Sequence, residues 1–346
     1  MNNIIIRYTI NVLVSLVFIA FPISSQADSN AFNRFYVFGD SLSDTGNVSI
    51  LTGNVAPPSV NYYQGRFSNG PVAFEYLWKA LTGSITATLK PSLGNVNYAK
   101  NKAINFAYGG AKTQLSNVSP GGFSVPGLVG QVNQFIAANV PSTNNKQTLY
   151  ALWAGANDYL LPPNPLDVQN HPDCSTINIP NPVVCNIADA ITRLYSLVGA
   201  RYFIVPNLPN LGSVPILNDS NFSGLLLTSA DLTNLTKAHN IALQSALQQL
   251  KLTYPDIQIM YVDIYSLMNT LIQILPHGNQ MGPAGDCLFI NPATCTQPPN
   301  GFNALGYVFW DVEHPTTGVH SILGATMITA VLNTSTARQE SSSPQK

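Results

Sequence analysis

Arg34-Phe35-Tyr36-Val37-Phe38-Gly39-Asp40-Ser41-Leu42-Ser43-Asp44 is a β-branched and aromatic run that breaks at a glycine into a polar turn. A short run of this composition ended by Gly-Asp reads as a strand entering a turn, and it leaves the Ser41 hydroxyl exposed just past the strand. The same grammar recurs three times. Gln147 to Ala154 is apolar and is followed by Gly155-Ala156-Asn157-Asp158; Arg201 to Val205 ends at Pro206-Asn207-Leu208-Pro209; Gln258 to Val262 ends at Asp263. Helical patterns lie between these strands, over Pro71–Leu81, Ile187–Val198 and Ser229–Leu252, with a last one over Gly318–Leu332. In Ser229–Leu252, Leu232, Leu235, Ile241, Leu243, Ala246, Leu247 and Leu250 read as one buried stripe. Strands alternating with helices predict an α/β fold, a mostly parallel sheet covered on both faces. In such sheets ligands bind beyond the carboxyl ends of the strands, where Asp40, Ser41 and Asn157 fall.

A serine hydroxyl is a weak nucleophile at neutral pH and needs a base in hydrogen-bond reach, itself held by a third group. Asp311-Val312-Glu313-His314, far along the chain, supplies both. One short segment lets a carboxylate accept from one imidazole nitrogen while the other nitrogen faces Ser41, and Pro315 restricts the backbone of His314. Acyl transfer also needs donors aimed at the oxygen that becomes negative. The Asn157 side chain, a backbone N–H of Gly109-Gly110, and the N–H of Ser41 are candidates. Taken singly each has a plainer reading: Gly39-Asp40-Ser41 as a turn, Asp311 as the cap of a surface helix, Gly109-Gly110 and Asn157 as turn residues. No serine is flanked as in Gly-x-Ser-x-Gly, which excludes the usual α/β-hydrolase nucleophile turn. His320 reads as a packing or capping residue, His239 as structural, and Asp44 and Asn47 as residues that order the turn after Ser41.

Taken together and in order, Phe38-Gly39-Asp40-Ser41, Gly109-Gly110, Gly155-Ala156-Asn157-Asp158 and Asp311-x-x-His314 resemble the GDSL, or SGNH, hydrolase family. Gly65-Arg66-Phe67-Ser68-Asn69-Gly70-Pro71 is similar to a stretch of its lipase-like members. The resemblance runs from Arg34 to Leu332. It implies a flavodoxin-like three-layer α/β/α sandwich without metal or organic cofactor. It also implies Ser41 as nucleophile, His314 as base, Asp311 as its partner, and Ser41 N–H, Gly110 N–H and the Asn157 amide as oxyanion donors. Gly110 and the adjacent Gly109 are not separated by alignment alone, and some members work with a Ser–His pair. The expected activity is a serine esterase of lipid esters acting through an acyl-enzyme: a lysophospholipase or phospholipase A, with acyl transfer to another alcohol as a further capacity. A short-chain carboxylesterase or polysaccharide deacetylase is the second reading, and a non-catalytic surface binding protein the third. A lipid enzyme needs an apolar trough near Ser41, for which Pro57-Pro58 and Phe123–Val129 are the expected lining, and it makes transient contact with a membrane surface.

The remaining residues set the context. Residues 1–27 read as a signal peptide: a weakly basic start, an apolar stretch Ile10–Ile23 short of the ~20 residues of a membrane span, and small residues at Ser25 and Ala27. A retained anchor is the other reading. Residues 28–332 are expected to form one domain and 333–346 a disordered tail. Charged residues are 9% of the chain with a net charge of -1, so there is no basic field for nucleic acid. The four cysteines, Cys174, Cys185, Cys287 and Cys295, include no Cys-x-x-Cys pair, which argues against a zinc site. In an exported chain they predict two disulfides, with Cys174–Cys185 and Cys287–Cys295 favoured by proximity among three pairings. Four unpaired thiols are the alternative.

Overall fold

The computed structural model describes residues 32–94, 97–140, 147–169, 179–219, 227–286, 288, 295 and 304–342. Strand β1 (Arg34–Gly39) is central in a sheet of order β2-β3-β1-β6-β7-β8, formed with β2 (Lys90–Pro91), β3 (Ala103–Asn105), β6 (Thr148–Trp153), β7 (Tyr202–Pro206) and β8 (Gln258–Val262). Every pairing in it is parallel. A separate antiparallel hairpin, β4 (Ser116–Val118) with β5 (Ser124–Pro126), stands outside it.

The unbroken apolar composition of β1 follows from burial on both faces. Successive side chains alternate across a strand, so Phe35 and Val37 enter one core while Tyr36 and Phe38 enter the other. The first core is closed by Phe74, Leu77 and Trp78 of α2 (Ala73–Thr82) and by Val319, Leu323 and Met327 of α8 (Thr317–Ser342). The second is closed by Val132 and Phe135 of α3 (Leu128–Ala137), Val184, Ile187 and Ile191 of α5 (Pro182–Arg193), and Leu243, Leu247 and Leu250 of α6 (Ser229–Thr253). Sheet and helices therefore form the expected three-layer α/β/α sandwich. Among the described residues no helix is long and apolar enough to cross a membrane.

Local chemistry sets the helix ends. The Asn181 side chain accepts from the N–H groups of Val183 and Val184 with Pro182 in the first turn, and Thr228 forms a reciprocal cap with Asp231 at the start of α6. The stripe read on α6 needs one correction. Ile241 is 71% exposed, while Thr236, His239 and Asn240 are buried. The inward face runs 232, 236, 239, 243, 246, 250, which keeps helical spacing. Its polar members bond the chain after β7: Asn240 accepts from Leu208 N–H and donates to Leu208 O, and Thr236 accepts from Leu211 N–H.

Other elements differ from expectation. β3 is three residues long and β2 two, too short to show a period. The helices α3 and α7 (Ile264–Ile274) go beyond the sequence expectation, α3 having no side-chain cap at Gly127. Helix α8 continues past Leu332 to Ser342, through Ala337-Arg338-Gln339-Glu340, good helix formers; part of the segment read as a disordered tail is thus helical. The leader read over residues 1–27 lies outside the described residues, as do Cys174 and Cys287. Among the described residues no cysteine is a free thiol.

Candidate active site

Gly39 ends β1 where the neighbouring strand comes so close that a Cβ would stand 2.2 Å from Trp153 O. The Gln131 side chain of α3 clamps both polar groups of Gly39, accepting from its N–H at 2.8 Å and donating to its O at 2.8 Å. The turn beyond it is ordered by two acids. Asp40 accepts from Leu42 N–H. Asp44 accepts from the N–H groups of Gly46, Asn47 and Val48 at the start of the short helix α1 (Asn47–Leu51) and, from the facing loop, Gly109. Burial pushes Asp40 up to about 7 and Asp44 up to about 6. Asn47 donates to Asn105 O and Ala107 O, so it orders the turn as expected.

Ser41 Oγ stands 2.8 Å from His314 Nε2, and His314 Nδ1 stands 2.7 Å from Asp311 Oδ2. The segment holding the last two is a tight loop, not the start of a surface helix. Phe309 bridges Pro315, Trp310 N–H donates to His314 O, and Asp311 Oδ1 accepts from the N–H groups of Glu313 and His314. One carboxylate oxygen shapes the loop and the other faces the imidazole. Burial alone would lower the His314 pKa, but Asp311, with Glu313 and Asp40, overrides it and holds the imidazole up at about 9. Tyr62 was not singled out in the sequence, and no local pattern marks it; its hydroxyl donates to Asp311 Oδ2 at 2.8 Å.

The oxyanion candidates meet by a second set of contacts. Gly155, at φ +123°, turns the chain from β6 into the short helix α4 (Ala156–Leu160) that carries Asn157. Asp158, pushed up to about 7 by burial, accepts from the N–H and hydroxyl of Thr113, and Asn186 donates to that hydroxyl. These bonds tie α4 to the loop after Gly110, and Asn157 Nδ2 donates to Ala111 O at 3.0 Å. Between the two glycines the geometry discriminates. Gly109 N–H is already given to Asp44, whereas neither Gly110 N–H nor Ser41 N–H has an acceptor among the described residues. Gly110 adopts φ +76°, a conformation glycine takes freely.

The Gly65–Pro71 block straps the histidine loop in place. Phe67 packs 5.2 Å from the His314 ring and against Gly109, where a Cβ would meet the phenyl at 2.3 Å. Ser68 donates to Pro315 O, Asn69 accepts from Thr317 N–H, and Arg66 pairs with Glu75 at 2.7 Å. His320 accepts from Ala73 N–H at the start of α2, and His239 contacts Tyr159 OH at 3.1 Å; burial lowers them to about 3 and about 4, so both are neutral packing residues. Among the described residues no group of His, Cys, Asp and Glu could hold a metal ion.

A cavity of about 620 Å³, counted out to its open mouth, begins at Ser41, Asn157, Glu313 and His314. Its walls are apolar: Leu160 of α4, Leu211 and Val214 after β7, Ile264, Met268 and Ile272 of α7, and Phe309. The trough is therefore not where Pro57-Pro58 and Phe123–Val129 suggested. Val125 is buried with Val48, Phe67, Tyr108 and Ala111 in a separate cluster against which Phe123 packs. Helix α7, missed in the sequence, forms the opposite wall instead.

A family model described as GDSL-like Lipase/Acylhydrolase matches residues 35–327. The chain is 28% identical over 338 residues to a GDSL esterase/lipase of Arabidopsis thaliana, covering 90% of this chain and 91% of the relative. It is 32% identical over 197 residues to the phosphatidylcholine-sterol acyltransferase of Aeromonas hydrophila, covering 57% of this chain and half of that enzyme. It is also 26% identical over 338 residues, 90% of this chain and 83% of the relative, to an Arabidopsis thaliana protein named inactive GDSL esterase/lipase-like protein 23.

Proposed function

The chain belongs to the GDSL-like lipase and acylhydrolase family and is a hydrolase of carboxylic esters, and from that premise we propose that it is an exported enzyme of lipid esters working through an acyl-enzyme on Ser41. The observation that carries this reading is the junction of a Ser–His–Asp relay with an apolar cavity at one point. Ser41 Oγ attacks the ester carbonyl while His314 Nε2 takes its proton. The N–H groups of Ser41 and Gly110 and the Asn157 amide receive the developing oxyanion. His314 then protonates the leaving alcohol, and the acyl group stays on Ser41 until water, deprotonated by the same nitrogen, releases the acid. Asp311 holds the imidazole tautomer and stabilises its charged form.

The substrate we infer is a lysophospholipid or phospholipid, cleaved as by a lysophospholipase or phospholipase A, with transfer of the acyl group to another alcohol as a side reaction. The apolar walls suit an acyl chain better than an acetyl group, which disfavours a deacetylase. The name of the Aeromonas hydrophila relative supports the lipid and transfer parts of the reading. Ile50, Leu51, Val55, Val60 and Tyr63 are each at least 37% exposed in the segment around Tyr62, which suits transient contact with a lipid surface. Export by a leader over residues 1–27 and disulfides Cys174–Cys185 and Cys287–Cys295 belong to the same proposal.

The test is fatty acid release from lysophosphatidylcholine, phosphatidylcholine and p-nitrophenyl acetate by wild type and Ser41→Ala in parallel. Lipid hydrolysis abolished by the substitution is the expected result. Activity on the acetate alone would move the assignment to a short-chain esterase or deacetylase, and none on any substrate would favour a non-catalytic binding protein.

A further inference from the structure

Glu313 sits between the two catalytic loop residues, yet its carboxyl belongs to neither of their bonds. Its backbone N–H serves Asp311, while its side chain enters the cavity beside Ser41 and His314. Oε1 stands 3.6 Å from His314 Nε2, too far for a direct hydrogen bond, and the side chain is only 13% exposed. Its carboxyl oxygens receive no hydrogen bond from the described residues. Around it the cavity walls are mostly apolar, with Leu42, Met268 and Phe309 among them. A largely buried carboxyl without a donor, next to the nitrogen that must deprotonate the second nucleophile, calls for a role in that step.

We propose that Glu313 selects water over an alcohol as acceptor of the acyl group; this rests on the acyl-enzyme reading above. In the free enzyme Nε2 is paired with the Ser41 hydroxyl. Once Ser41 is acylated its Oγ has no proton, and Nε2 takes a new donor. The spacing of Nε2 and Oε1 lets one oxygen stand within about 2.8 Å of both. Water carries two O–H groups and satisfies both acceptors. A monohydric alcohol carries one, so placing its O–H on Nε2 leaves the Glu313 oxygen unpaired and sets an alkyl group beside it.

The step itself is balanced. One water proton passes to Nε2 as the oxygen bonds the acyl carbon; the C–Oγ bond then breaks and Nε2 returns its proton to Ser41 Oγ. An alcohol follows the same path and leaves as an ester. Glu313 holds the second water proton in a hydrogen bond and neither gains nor loses one.

The experiment is the partition of one acyl-enzyme. Wild type, Glu313→Leu and Glu313→Gln are given p-nitrophenyl butyrate with methanol or 1-butanol at fixed concentration, and the butyrate ester formed is divided by the butyric acid released. Both products come from the same intermediate, so a general loss of activity cancels. Glu313→Leu is expected to raise the ratio about fivefold for both alcohols, the effect of one net hydrogen bond. Glu313→Gln keeps an acceptor oxygen and is expected to stay within about twofold of wild type. Should Glu313→Leu not fold, Glu313→Ala reads the same ratio.

An unmoved ratio, a rise for 1-butanol alone, or a Glu313→Gln ratio as high as that of Glu313→Leu overturns the proposal while leaving the esterase intact. A wild type that releases neither butyrate from the ester nor fatty acid from lysophosphatidylcholine overturns both.

Discussion

The Tyr62 hydroxyl donates to the same oxygen of Asp311 that faces His314 Nδ1, the two contacts measuring 2.8 and 2.7 Å. The phenol is buried and its pKa is raised well above the usual value, by burial first and by the Asp311 charge second, so it remains a donor throughout the working pH range. It shares Oδ2, the oxygen that would otherwise face the imidazole alone, Oδ1 being held by the N–H groups of Glu313 and His314.

Tyr62→Phe removes that share. Kcat/KM is expected to fall by about three- to tenfold, the scale of one net hydrogen bond. Its pH dependence should also move to higher pH, because His314 holds its proton more tightly when it no longer shares Oδ2 with the phenol. A pH–rate profile of the variant that overlays the wild type after scaling would refute the sharing.

His314 must be neutral to take the proton of Ser41, and its pKa stands at about 9. Kcat/KM for a neutral ester is therefore expected to climb through the neutral range towards about pH 9. Stability should run the other way. A histidine whose folded pKa exceeds its unfolded value near 6.5 stabilises the fold fully below that value and loses the contribution as pH rises through about 9. Asp40 and Asp158, held up at about 7 by burial, add a decline of the same sign between their unfolded values and about pH 7. Thermal melting from pH 5 to 10 beside the rate profile checks both; activity already flat at pH 6 would contradict the assignment.

Asn157→Ala should lower kcat by roughly 10²–10³ with KM little changed, since its amide acts on charge that exists only in the transition state. A loss confined to KM would mean that Asn157 binds the substrate rather than the oxyanion. Ser41→Ala sets the baseline, with a loss on the order of 10⁴–10⁶.

Met268 and Ile272 stand on α7 in the wall of the cavity. Met268→Trp fills the space an acyl chain would take, so activity on a decanoyl ester should fall at least tenfold while an acetyl ester changes little, each excluded methylene being worth about 0.8 kcal/mol. An equal loss on both chain lengths would place the acyl group elsewhere. Measuring p-nitrophenyl esters of graded length decides it.

If Cys174 pairs with Cys185, the closed loop is short and the chain-entropy contribution is about 3 kcal/mol. Reductant is then expected to lower the melting temperature by several degrees. An unchanged melting temperature with the thiols shown to be accessible would end the disulfide proposal.

Most of the sheet is legible in the sequence, because β1, β6, β7 and β8 are largely buried and announce it by continuous apolar runs ended by Gly, Pro or Asp. Thr236, His239 and Asn240 of α6 do not read as core, since Thr236 and Asn240 are buried by the chain beyond β7 that they bond and His239 by its contact with Tyr159 of α4. Residues 103–105 are too few to show a period, and the helix at 128–137 has apolar spacing but no side-chain cap to mark its start.

For the site, Ser41, Asp311 and His314 are legible as candidates because a nucleophile, a base and a carboxylate stand in order with the Gly109-Gly110 and Asn157 blocks, each segment by itself having a plainer reading as a turn or cap. Only tertiary structure decided the rest. Tyr62 reaches Asp311 from 249 positions away. Gln131 clamps Gly39 across 92. The choice of Gly110 over Gly109 follows from the bond of Gly109 to Asp44 across 65, and the cavity wall comes from α7 rather than from the segments near Ser41. Short-range composition dictates which chemistry a segment can perform and whether it is strand or turn. Which distant donor or apolar face meets it depends on the path of the whole chain, which no local pattern encodes.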